Sequence, residues 1–164
     1  MIYVVFLLYY LPNQKNKKMI ETKVFNSKNK PNSTEKSQIV NFLYSNLEQY
    51  GDAKSSIEKA IDYSLGENGS KGGSTILLYD NQILKGVVVM NRTGMGGYIP
   101  ENILVYIATH KDYRGEGLGK KLMEKVIYET EGDIALHVEA NNPAKKLYEK
   151  FGFTNPYLEM RLKK

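Results

Sequence analysis

Apolar residues recur along this chain in three rhythms, and each predicts a different element. Ile39, Leu43, Leu47 and Tyr50 are spaced as on one face of a helix. Asn32 and Glu35 ahead of them have capping-box spacing, and Gly51 can end the helix. Ile57, Ala60, Ile61 and Leu65 predict a second helix, with Ser55 and Glu58 repeating the capping signal and Gly66 as its stop. Residues 22–25, 75–79 and 83–90 read as strands, and Asp80-Asn81-Gln82 between the last two marks a hairpin turn. Residues 103–108 are continuously apolar, as expected of a central strand buried on both faces. Leu118, Leu122, Val126 and Ile127 then fall on one side of a third helix. Ile134, Leu136 and Val138 alternate as a strand reaching to residue 140. Asn142 can cap a fourth helix, with Pro143 at its first position, a stripe of Ala144, Leu147, Tyr148 and Phe151, and Gly152 at its end. Residues 157–162 alternate as a last strand. The order is β-α-α-β-β-β-α-β-α-β, an α/β domain with a mixed sheet.

Between these elements lie polar or glycine-rich loops at 28–33, 67–74 and 91–98, the second expected to be mobile. The N-terminus differs from the rest. Residues 2–11 are almost wholly apolar, and Pro12 and a basic stretch at 13–18 follow. Ten apolar residues fall short of the roughly 20 that span a bilayer, so no stable membrane insertion is expected. The charge follows the apolar stretch, whereas a secretory signal carries it in front. Residues 1–18 read either as an extra element packed on the domain or as an extension ahead of a start at Met19. The second reading is preferred, because Met19-Ile20-Glu21 opens a domain that runs from 19 to 164.

At 164 residues the chain is long enough for one domain with a real core. It has no cysteine, which excludes disulfides, thiolate metal sites and a cysteine nucleophile. His110 and His137 are too few for a histidine-rich metal site, and no bound metal is expected. The net charge of +5 suits an anionic ligand. The basic residues are scattered, which speaks against a nucleic-acid partner.

One segment carries candidate chemistry. Residues 112–122 (Asp-Tyr-Arg-Gly-Glu-Gly-Leu-Gly-Lys-Lys-Leu) join the apolar strand to the third helix. A basic, glycine-rich turn there offers backbone N–H groups and a helix N-terminus to a phosphate or pyrophosphate. A Walker loop is excluded, since Gly119-Lys120 is followed by Lys121 and Arg114 stands five residues before Gly119. A dinucleotide fingerprint is excluded by the Gly115, Gly117, Gly119 spacing. The pattern that fits is Arg-x-x-Gly-x-Gly, at Arg114, Gly117 and Gly119. Further on, residues 141–153 (Asn-Asn-Pro-Ala-Lys-Lys-Leu-Tyr-Glu-Lys-Phe-Gly-Phe) form an Asn-capped helix with a tyrosine, ending in Gly-Phe.

On these two segments the chain resembles the GNAT acetyltransferases over residues 20–164, most strongly at 103–153. The resemblance implies a mixed, mostly antiparallel sheet flanked by helices, with splayed central parallel strands. It implies that acetyl-CoA is the co-substrate and that amides from Arg114 through Gly115, Glu116, Gly117, Leu118 and Gly119 to Lys120 cradle its pyrophosphate. Arg114 can add charge-assisted hydrogen bonds. Pantetheine is implied to pair with the strand edge at Ile107, Ala108 and Thr109, where a free amide can also stabilise the thioester oxygen. Tyr148 is implied as the acid at the departing sulfur, and its ring also fits the apolar stripe. Asn141 or Asn142 contacts pantetheine or caps the helix.

Glu101, at the start of the central strand, resembles the base glutamate of the histone-acetylating branch, and burial would raise its pKa. Glu139 and His137 are rivals, and water is a further one. The expected activity is transfer of acetyl from acetyl-CoA directly to a primary amine, with no acyl-cysteine. The acceptor is a small-molecule or peptide amine, shaped by the two N-terminal helices and the loops at 67–74 and 91–98. The alternative is a non-catalytic coenzyme A-binding regulatory module of the same fold. A cytoplasmic setting is expected, and the resemblance admits a homodimer.

Overall fold

A computed structural model describes residues 20–164. The N-terminal extension at 1–18 lies outside the described residues. The elements are β1 (Ile20–Phe25), α1 (Ser33–Leu47), α2 (Lys54–Ser64), β2 (Gly73–Asp80), β3 (Ile83–Arg92), β4 (Asn102–Thr109), α3 (Leu118–Glu129), β5 (Ile134–Leu136) and α4 (Lys145–Lys150). Among the described residues the sheet has five strands in the order β1-β2-β3-β4-β5. The first three pairings are antiparallel and β4 with β5 is parallel. This is the mixed, mostly antiparallel sheet that the family resemblance implied.

Local chemistry explains several boundaries. Asn32 accepts from the Glu35 amide and the Glu35 side chain accepts from the Asn32 amide, so both halves of the α1 capping box form. Asn81 and Gln82 both adopt positive φ, which fits a two-residue hairpin turn matched to strand twist. The second capping signal is not used. The amides of Ser56 and Ile57 both close on the Ala53 carbonyl, so α2 starts at Lys54 and Ser55 lies inside it.

The sheet separates two cores. Phe25, Ile39, Leu43, Ile57, Ile61, Val87, Val89 and Tyr106 pack under α1 and α2. Ile76, Val88, Met90, Leu104, Leu118, Leu122 and Tyr148 pack under α3 and α4. Residues 87–90 of β3 alternate between the two, which is why that strand reads as an unbroken apolar run. A Cβ on Gly86 would come within 2.6 Å of Leu122, so the glycine lets α3 lie close on the sheet. Ile127 is not part of this core. It is 44% exposed and Met123 is buried instead. At about 100° per residue, Ile127 lies roughly opposite Leu118.

Two strand expectations need correction. The fifth strand stops at Leu136 rather than reaching 140. Residues 157–162 form no strand. Tyr157, Leu158, Met160 and Leu162 are 85–93% exposed, so their alternation covers nothing. Alternation specifies a strand only when a neighbouring edge receives it, and Pro156 offers no N–H where this segment leaves the domain.

The feature that positions the site is the parting of β4 from β5. They pair only at Asn102↔Ile134, Ile103↔Ala135 and Leu104↔Leu136. Directly beyond, β4 has a bulge: Val89 pairs with Tyr106 and Met90 with Leu104, leaving Val105 extra. A bulge bends and twists its strand, and here it coincides with the point where the sheet opens.

Candidate active site

The opening between β4 and β5 continues into a cleft of about 1410 Å³. Its wall includes the β4 stretch Ile107, Ala108 and Thr109. The turn residues Arg114, Gly115, Gly117, Leu118, Gly119 and Lys120 line it, as do Asn142 and Tyr148. Two segments about thirty residues apart in sequence are thus brought to one cavity. Glu116, Asn141 and Glu101 do not line it.

The turn reaches this geometry through its glycines. Gly115 and Gly117 have φ of 84° and 78°, which side-chain-bearing residues rarely adopt. Gly117 is the N-cap of α3 and supplies no capping side chain. The first-turn amides at Leu118, Gly119 and Lys120 therefore have no helical partner, and these three residues line the cleft. A Cβ on Gly119 would meet Leu147 at 3.1 Å, so a small residue also suits the approach of α3 to α4.

Arg114 is used differently from expectation. Its guanidinium donates to Glu48 Oε2 (2.9 Å) and to the Asn46 carbonyl (2.9 Å). The side chain clamps the glycine turn to the end of α1, rather than standing free for a phosphate. Asn46 completes the clamp: its Oδ1 accepts from the Lys111 amide (2.9 Å) and its Nδ2 donates to the Phe42 carbonyl (2.8 Å). The sequence carried a signal for this residue. Asn46 falls on the buried stripe of α1 with Ile39, Phe42 and Leu43, and a buried amide requires partners.

Tyr148 is 7% exposed, with its ring 5.9 Å from that of Phe153. Burial pushes its pKa up to about 12, so the phenol keeps its proton at neutral pH. Asn142 Oδ1 accepts from the Ala144 amide (2.9 Å), which makes it the cap of the turn leading into α4. The helix itself begins at Lys145, two residues after Pro143.

Glu101 departs from expectation in both place and protonation. Its Oε2 accepts from the Asp133 amide (2.8 Å) beside Gly132, in a turn outside the cleft. That hydrogen bond, with others from the backbone, holds its pKa below the usual carboxylate value rather than above it. His137 and Glu139 do line the cleft. Val138 between them packs toward the α3 and α4 core, while His137 and Glu139 are exposed. His110 is structural: its Nδ1 accepts from the Asp112 amide (3.3 Å), and its ring packs against Phe42 and Tyr113.

The loops expected to shape the acceptor site lie elsewhere. Residues 67–71 and Thr93 line a separate cavity of about 480 Å³. The far side of the main cleft is built from Asn46, Leu47, Glu48, Tyr50 and Asp52 instead. Tyr106 on β4 donates its hydroxyl to Asp52 Oδ2 (2.6 Å). Burial and this bond to a carboxylate raise the Tyr106 pKa well above the ordinary tyrosine value. Nothing in the local sequence around Asp52 marks it.

The family model of the acetyltransferase (GNAT) domain matches residues 71–155, from the start of β2 past the end of α4. The chain belongs to the GNAT acetyltransferase family. The match takes in the glycine turn and Tyr148, which both line the cleft. Solved GNAT structures share the fold. A possible acetyltransferase from Clostridium difficile aligns with a TM-score of 0.64 at 16% identity, over 88% of this chain and 97% of its own. An aminoglycoside N-acetyltransferase in complex with CoA aligns at 0.61 and 13%, over 90% and 97%. A ribosomal-protein-alanine N-acetyltransferase from Brucella melitensis aligns at 0.58 and 15%, over 88% and 98%. No curated protein matches this GNAT domain in sequence. Among the described residues no helix is long and apolar enough to cross a membrane, and no group of three or more His, Asp or Glu could hold a metal ion.

Proposed function

We propose that this chain is an N-acetyltransferase that moves acetyl from acetyl-CoA directly to a primary amine. One observation carries the reading: a single cleft runs from the uncapped N-terminus of α3, through the gap between β4 and β5, to the buried phenol of Tyr148. The α3 end suits a diphosphate, because the first-turn amides and the helix dipole both favour negative charge. The β4 edge beyond Leu104 no longer pairs with β5, so an extended pantetheine can add alongside Ile107 to Thr109. A free amide on that edge can donate to the thioester oxygen as it gains charge. Tyr148 stays protonated and can donate to the leaving sulfur. In this reading Arg114 holds the turn in shape and the main chain makes the phosphate contacts. Asn142 sets the start of α4 and thereby the position of Tyr148.

The cytoplasmic setting expected from the sequence goes with this co-substrate, and nucleic acid has no part in the reading. The test is calorimetric titration with coenzyme A, followed by free-thiol release from acetyl-CoA with a panel of amines. Micromolar binding and amine-dependent thiol release are expected. Absence of coenzyme A binding would overturn the proposal. Binding without thiol release for any amine would favour the alternative, a regulatory module that holds coenzyme A without turnover.

A further inference from the structure

The acceptor side of the cleft carries a second built feature. Tyr106 packs in the core under α1 and α2, while Ile107 and Tyr148 pack under α3 and α4. The Asp52–Tyr106 pair therefore lies on the opposite face of the sheet from Tyr148, and the parting of β4 and β5 connects the two faces. Four carboxylates line this cleft. Glu48 is paired with Arg114, and Glu159 with Arg161. Asp52 and Glu139 have no basic partner among the described residues. Of these two, only Asp52 is held in place by a side-chain hydrogen bond.

That bond also fixes what the pair offers. The Tyr106 proton is committed to Asp52 Oδ2, so the phenol oxygen presents lone pairs, and an ionised aspartate is acceptor-only. Asp52 Oδ1 has no hydrogen-bond partner among the described residues. The pair is a set of acceptors carrying net negative charge, and its complement is a cationic donor. We infer that Asp52, positioned by Tyr106, is the binding site for the ammonium group of a primary alkylamine that enters from the α1 and α2 face. The inference rests on the transferase reading for its meaning, since it places the acceptor across the sheet from Tyr148. As a binding site it stands on its own geometry.

The bulge at Val105 has a part here. It sets the phase of β4, so that Tyr106 faces Asp52 while Ile107 faces the α3 core. The Glu48–Arg114 pair has another. It pairs the nearest carboxylate on the same segment, while Asp52 has no basic partner among the described residues.

The test uses the full chain loaded with coenzyme A, titrated by calorimetry with pentylamine and with 1-pentanol, its neutral counterpart. Asp52 is exposed, so wild type is expected to bind the amine about two- to fivefold more tightly than the alcohol, as an exposed ion pair warrants. Asp52→Asn is expected to erase the difference, Asp52→Glu to restore part of it, and Tyr106→Phe to shrink it. Coenzyme A affinity in each variant reports an intact domain. Equal amine affinity in wild type and Asp52→Asn overturns the inference, and so does a wild type that does not prefer amine over alcohol. Repeating the titration without coenzyme A separates the two proposals. Asp52-dependent amine binding in a protein that fails to bind coenzyme A would sink the transferase reading and leave the ammonium site standing.

Discussion

Replacing Tyr148 with Phe tests the chemical step, and the structure limits how large the effect can be. The ring packs against Phe153 in a buried site, so Tyr148→Phe removes one oxygen and leaves the packing in place. Burial has raised the phenol pKa to about 12. A thiol titrates near 8.5, so complete proton transfer from Tyr148 to a free thiolate is uphill by about 3.5 pH units, or about 5 kcal/mol. The tyrosine can therefore hydrogen-bond the sulfur as charge develops, and must recover any proton it gives from the attacking nitrogen. A mismatched acid belongs at the low end of the general-acid range, so turnover should fall about 10²-fold while coenzyme A affinity is unchanged. The assay is thiol release from acetyl-CoA, and a chain without cysteine adds no background. Unchanged turnover removes Tyr148 from the acid role, and a fall near 10⁴-fold refutes the mismatch argument. Stability gives an independent check. The unfolded phenol titrates near 10 and the folded one near 12, so stability is full below pH 10 and is lost as pH rises toward 12. Wild type should lose up to about 3 kcal/mol across that window that Tyr148→Phe does not lose, read by denaturant unfolding.

Gly117→Val places a β-branched residue at φ 78°, at a strain cost of about 1–2 kcal/mol. Its Cβ would meet no chain atom within 4 Å, so coenzyme A binding should vanish from a domain that circular dichroism still reports as folded. Retained affinity would show that the turn is not the diphosphate site. Glu101→Gln should leave turnover unchanged, because the carboxylate sits outside the cleft. The native carboxylate has a lowered folded pKa, so its contribution is present above the ordinary carboxylate value and is lost as pH falls through the folded one. The variant should lack that acid limb in unfolding measured from pH 7 downward, and a large loss of turnover would return Glu101 to the role of base.

Most of the fold was legible because its signals are local. The Asn32–Glu35 capping box, the Asn81-Gln82 hairpin turn and the glycines that start α3 act through neighbours a few residues away. So did the resemblance itself, since the glycine turn and the Tyr148 helix are each short contiguous segments. Sequence misled where the outcome depended on what an element packs against. The alternation at 157–162 promised a strand, and no edge receives it. Glu101 resembled a base by position, yet the Asp133 amide, 32 residues on, takes its carboxylate.

The chain's sequence alone determined the order of the elements from β1 to α4 and the glycine turn that starts α3, because periodicity, caps and positive-φ glycines need no distant partner. Tertiary structure decided the rest. Tyr106 meets Asp52 across 54 residues and Arg114 meets Glu48 across 66, and the bulge at Val105 marks where the sheet opens between them. Such pairings form only when α1, β4 and α3 are packed against one another, so no stretch of the chain taken singly encodes them.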